Sequence, residues 1–146
     1  MKIILSAIAI VFVFKASAIG ANANNQFDGG LDTTVFAVAT GGYWKQGENY
    51  GNIRVVVRNL GWEHTRSQFY IQWLQSNDST KTVEASSTIP IAELNERNWI
   101  NINKIERIPS EHGARFKLYY QVRTKEKETI KILKVGGPSE YELLQP

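Results

Sequence analysis

The sequence predicts an all-β chain, a single antiparallel β-sandwich of about seven to nine short strands. Apolar residues recur with a period of two through most of residues 33–146, turn-forming residues break these runs at short intervals, and no segment carries an apolar stripe of helical period beyond two turns. An immunoglobulin-like or jelly-roll arrangement is expected, with a small β-barrel as the alternative.

Thr33–Thr40 is β-branched and apolar and stops at Gly41-Gly42. Ile53, Val55 and Val57 alternate with Arg54, Val56 and Arg58, and Phe69, Ile71 and Trp73 alternate with Tyr70, Gln72 and Leu74. The clearest half-buried strand runs over Arg115–Arg123: Phe116, Leu118, Tyr120 and Val122 form an apolar face, and Arg115, Lys117, Tyr119, Gln121 and Arg123 a wet one. Further strands are expected at Lys81–Ser87, Asn98–Ile105 and Thr129–Val135, and a last one at Ser139–Leu144. Gly61, Ser76–Ser79, Ser110–Gly113, Lys125–Glu128 and Gly136-Gly137-Pro138 supply the turns. Pro90–Leu94 reads as a one-turn helix with proline in its first position. Trp73 and Trp99 fall inside strand patterns and are expected in the core.

The chain opens with a pattern of a different kind. Met1-Lys2 is followed by apolar Ile3–Phe14 and then by small residues up to Ala23, the pattern of a cleavable secretory signal. Cleavage is expected after Ala23, which leaves a polar start at Asn24, or after Ala18. The apolar run is shorter than the roughly 20 residues a spanning helix needs. The organisation expected is therefore a leader at 1–23, a loose lead over Asn24–Asp32 and one β-domain at 33–146, periplasmic or secreted, with no stable membrane insertion after cleavage.

The formal net charge is +3, but Lys2 and Lys15 leave with the leader, so the mature part stands near +1. Whole-chain charge therefore gives no reason to expect nucleic acid as a partner. The chain contains no cysteine, which excludes disulfides, cysteine–zinc sites and thiol catalysis.

The candidate contact residues lie in Gly41–His64, where aromatics alternate with glycines. They are Tyr43, Trp44, Tyr50, Trp62, Glu63 and His64. Placed on loops, such aromatics would stack on sugar rings while Gln46, Glu48, Asn49 or Asn52 bond hydroxyls. As core or rim residues they would cap the open end of the fold. The two histidines sit in Glu63-His64 and Glu111-His112, which would form a metal site only if folding joined them, and Asp28 and Asp32 would serve calcium only if the lead were ordered. No metal or cofactor is expected. Neither G-x-S-x-G, H-E-x-x-H nor a phosphate-binding glycine loop occurs, so no catalytic residue is assigned. Arg54, Arg58, Arg115, Lys117 and Arg123 would make a basic face if their strands were neighbours. The expected function is a non-catalytic binding or protein-interaction module of the bacterial envelope, with a protein or a carbohydrate as partner. A carbohydrate-binding module and a small glycan-acting hydrolase are the alternatives.

Overall fold

Short turns and period-two runs give two antiparallel sheets of four strands each. In the first, β1 (Val35–Gln46), β2 (Asn49–Leu60), β3 (Arg66–Asn77) and β4 (Thr82–Pro90) lie side by side in that order. A one-turn helix, α1 (Ala92–Asn95), leads to the second, β5 (Ile100–Ile108), β6 (Ala114–Val122), β7 (Glu128–Val135) and β8 (Tyr141–Leu144), again in chain order. This computed structural model describes residues 32–96, 99–123, 125 and 127–146. The expected leader and all of the expected lead except Asp32 lie outside them. No helix among the described residues is long and apolar enough to cross a membrane.

The order of the strands departs from the expectation. Immunoglobulin-like and jelly-roll folds set sequence-distant strands side by side through Greek-key connections. Here every neighbour in a sheet is consecutive in sequence, so each sheet is a plain meander. Tight connections explain this: only Gly47 and Glu48 separate β1 from β2, and Gly47 supplies the left-handed φ of +63° such a turn needs. Nor does a barrel close. Among the described residues α1, and no strand pairing, joins β4 to β5.

One apolar core serves both sheets. Ile53, Val55 and Val57 of β2 and Phe69, Ile71 and Trp73 of β3 join Phe116, Leu118 and Tyr120 of β6 and Leu133 and Val135 of β7. Each such side chain stabilises the fold by about 1.5–3 kcal/mol relative to remaining in water. Trp73 is fully buried and also ties the sheets together: its indole N–H donates to the Gly136 carbonyl, 3.0 Å away, at the end of β7.

Bulges account for the misread boundaries. β1 does not stop at Gly41-Gly42. Gly41 pairs with Ile53 and Tyr43 with Asn52, which leaves Gly42 as an extra residue at φ +72°. A second irregularity between Trp73 and Leu74 lets both of these adjacent residues be buried. Pro90 ends β4 instead of opening the helix, whose cap is Ile91. Trp99 is not core: it precedes β5 and is 36% exposed. The basic residues also part company, since Arg54 and Arg58 lie on β2 and Arg115 and Lys117 on β6, strands of different sheets.

Two polar contacts fasten the ends of the sheets. Asp32 accepts hydrogen bonds from the Thr34 N–H and hydroxyl and pairs with Arg58 at 2.8 Å. These bonds, the backbone one foremost, hold its carboxyl below the usual 3.8. The Tyr141 hydroxyl of β8 donates to Glu93 at 2.8 Å and accepts from the Ala92 N–H at 3.3 Å, latching α1 onto the second sheet. Burial, reinforced by the bond to Glu93, raises the Tyr141 pKa above 10.0. A group whose pKa is raised by folding stabilises fully below its unfolded pKa and loses that contribution as pH rises through the folded value. Urea melts of the wild type should therefore lose midpoint above about pH 10, and Tyr141→Phe should lack that part of the loss. Identical alkaline profiles would show that the latch adds nothing.

Candidate functional site

Antiparallel registers fix which connections share an end of the molecule. The β1–β2 turn, the β5–β6 loop and the β7–β8 turn lie at one end, the hairpin end. The β2–β3 loop, α1 and the β6–β7 connection lie at the other, the helix end. The six candidate residues divide between them: Tyr43, Trp44 and Tyr50 go to the hairpin end, and Trp62, Glu63 and His64 to the helix end.

Tyr43, Trp44 and Tyr50 are on strands, not on loops. The bulge at Gly42 reverses the side-chain parity of β1. Ala37, Ala39 and Gly41 face the core before it, and Trp44 does so after it. Trp44 is 3% exposed and packed in the core cluster, so it forms no open contact surface. It stands opposite Gly51, where a Cβ would overlap the Leu74 carbonyl oxygen, and its indole N–H donates to that same carbonyl at 3.1 Å. Tyr43, 53% exposed, and Tyr50 remain on the outer side with ring centroids 6.0 Å apart at 32°.

Beside Tyr43 an open depression of about 650 Å³ is lined by residues of β1, β5, the β5–β6 loop and the β7–β8 turn, among them Lys45, Arg107, Glu111 and His112. A single ladder contact, Tyr43 with Gly113, joins the two sheets here. Glu111 and His112 make no side-chain hydrogen bond to another described residue. Among the described residues no base–orienter pair of the kind used in general acid–base or nucleophilic chemistry is assembled around them.

At the helix end, the β2–β3 loop turns sharply at Gly61, φ +96°, where a Cβ would press on the His64 carbonyl oxygen. Trp62 stands out from this loop at 96% exposure, with Glu63 and His64 also exposed. His64 meets the Trp99 ring edge-on, centroids 5.9 Å apart. The Arg123 guanidinium lies over the other ring system of this group, 4.9 Å from the Trp99 centroid, and reaches His64 Nδ1 at 3.3 Å. A guanidinium can only donate, so Nδ1 accepts and the neutral imidazole carries its proton on Nε2. The Arg123 backbone N–H donates to the Trp99 carbonyl at 2.9 Å. These contacts over-determine an unfavourable backbone, since Trp99 sits at φ +66°. A bulky residue there is an outlier that costs about 1–3 kcal/mol, and such strain clusters at functional positions.

Sequence periodicity missed Trp99 and Arg123 as members of one cluster. The signal for Trp99 was present: it shares parity with exposed Asn101, while Ile100 and Ile102 are the buried set. The two Glu-His dipeptides lie at opposite ends, so they form no joint metal site. Among the described residues no group of three or more histidines and carboxylates is placed to hold a metal ion. Asp28 lies outside the described residues, and Asp32 is engaged by Thr34 and Arg58.

What the geometry presents is one protruding, fully exposed indole in the same loop as the His64 of a braced Trp–His–Arg cluster, and, at the far end, an open depression with two exposed tyrosines. Comparison with protein-family models, with curated proteins and with solved structures finds no match to this chain.

Proposed function

We propose that the chain is a meander β-sandwich exported to the bacterial envelope, where it acts as a non-catalytic protein-interaction module. Its contact surface is the helix end: Trp62 at the centre, with Trp99, His64 and Arg123 beside it. The observation that carries this reading is the exposure of Trp62. A bare indole in water is unfavourable, and contact residues that dominate protein interfaces are enriched in tryptophan and arginine. Sugar stacking would cover one face of the ring. A projecting side chain exposed on all sides is covered best by a pocket in a protein partner. Trp99 and the Arg123 stacked upon it hold His64, two residues from Trp62 in the same loop.

The expected test contrasts two tryptophans. Trp62→Ala should change stability by less than about 0.5 kcal/mol, as for a plain surface position. It should also abolish retention of a specific partner when the immobilised protein is challenged with solubilised envelope. Trp44→Ala should instead lose about 3–5 kcal/mol, as buried aromatic truncations do. A Trp62→Ala protein that retains the same partner, or that melts as early as Trp44→Ala, would overturn the contact surface. Export is tested separately. Expressed with its own leader, the protein should be recovered outside the cytoplasm with an intact mass that begins at Asn24 or Ile19, and a mass that keeps Met1–Phe14 would end that part of the reading.

A further inference from the structure

We propose that the depression at the hairpin end is a second binding site, one that takes a saccharide bearing an anionic group. It lies at the opposite end from Trp62 and stands or falls independently of the interaction surface there.

The floor of the depression is glycine. Gly42, Gly113, Gly136 and Gly137 all line it. A Cβ at Gly42 would overlap the Gly113 carbonyl oxygen, and one at Gly113 would overlap that of Val135. The close approach of β1, β6 and the end of β7 therefore excludes side chains, so the floor is bare backbone, that of Gly136 and Gly137 held by hydrogen bonds to Trp73 and Glu140. The volume, about 650 Å³, falls among small-ligand sites, which run from roughly 300 to 1,000 Å³. The depression is open and its lining mixes polar and apolar surface, which suits a ligand with hydroxyls on one face and C–H on the other.

One wall is aromatic. Tyr43 lines the depression and Tyr50 lies beside it, so the two exposed rings continue one surface. The C–H face of a pyranose can stack there. Lys45 stands directly across from Tyr50 in the register of the hairpin, so a cation adjoins the stacking surface. Arg107 enters from β5, its aliphatic stem against Gly41. Neither cation has a carboxylate partner among the described residues, whereas Arg58, Lys104 and Lys134 each have one. Of the two carboxylates near the floor, Glu111 lines the depression and Glu140 is engaged by the Gly137 N–H, whereas both cations are unpaired among the described residues; this favours an anion on the ligand, which the arginine can hold by two parallel hydrogen bonds. Glu111 can accept sugar hydroxyls. Ser110 is committed to its own loop, its hydroxyl donating to the His112 carbonyl at 2.6 Å, which shapes the rim.

Carboxylate and sulfate groups share this chemistry, and the experiment separates them. Isotope-labelled mature protein is titrated with oligogalacturonate, with a heparin-derived oligosaccharide and with neutral galacto-oligosaccharide, while the amide resonances of Gly42, Gly113, Gly136 and Gly137 are followed. At least one charged sugar should shift these glycines, and the neutral one should bind at least tenfold more weakly. Lys45→Gln and Arg107→Gln should each weaken binding by about tenfold, the loss of one charge-assisted contact. Tyr43→Ala should weaken it as well, added salt should do the same, and Trp62→Ala should leave it unchanged. Arg107→Lys keeps the charge and the stem but not the paired donors and should bind between wild type and Arg107→Gln; if Arg107→Gln fails to fold, Lys45→Gln decides alone. Which charged sugar moves the glycines assigns the anion. No glycine shift with either charged sugar, equal binding of the neutral one, or affinity unaltered by loss of Lys45 would overturn the site.

Discussion

Trp73→Ala should lower the stability of the protein by about 3–5 kcal/mol, the cost of truncating a buried aromatic. Trp73 is the largest fully buried side chain in the described residues and sits at the centre of β3. Its loss removes packing on the second sheet as well as the indole bond to the Gly136 carbonyl, so both the core and one tie between the sheets go together. For a domain of this size the melting temperature should fall by roughly 10–20 °C. Urea melts should show the midpoint moving with the slope unchanged, the sign of altered stability without altered unfolding. A loss below about 1 kcal/mol would mean that the two sheets do not close over this residue, because cavity formation at a packed site cannot be that cheap.

Gly113→Ala should be nearly as damaging, for a different reason. Gly113 holds φ +65°, and the added Cβ would run into the backbone carbonyl of Val135, an obstacle with no rotamer to yield. Left-handed backbone costs an alanine about 1–2 kcal/mol, and forced overpacking adds about 1–3 kcal/mol. The internal control is Gly47→Ala. That glycine has nearly the same φ, +63°, but nothing within 4 Å of its Cβ position. Gly47→Ala should pay the conformational cost alone. Equal melts for the two variants would show that the approach of β6 to β7 at this end is loose enough to admit a methyl group.

The strand content was legible because it is local. Alternation over Ile53–Arg58 and Phe116–Val122 reports directly on which side of a pleated strand meets water, and the buried set Ile53, Val55, Val57, Phe116, Leu118 and Tyr120 follows it. Parity also places Trp99 on the wet side, with Asn101, once its register with Ile100 is read from the strand and not from the hydrophobicity of the indole. Trp44 was not legible. Its direction depends on a one-residue bulge at Gly42, and a bulge is a property of a strand together with its partner. The hydrophobic pattern on either side of Gly41-Gly42 is the same whether the chain turns there or continues.

From the sequence alone come an all-β chain, the positions of its strands, a cysteine-free domain and an aromatic-rich segment, since each rests on residues a few positions apart. The tertiary structure alone decided that the sheets are two meanders and not a Greek key. It divided the aromatic segment between opposite ends, with Trp44 sealed inside and Trp62 left bare. It brought Trp99 and Arg123, which flank the paired ends of β5 and β6, onto His64 from the loop of the other sheet, and set Lys45 and Arg107 around the same glycine floor. Pairing across sheets and convergence of loops are set by the free energy of packing the whole core, to which every strand contributes, and no window of neighbouring residues contains that sum.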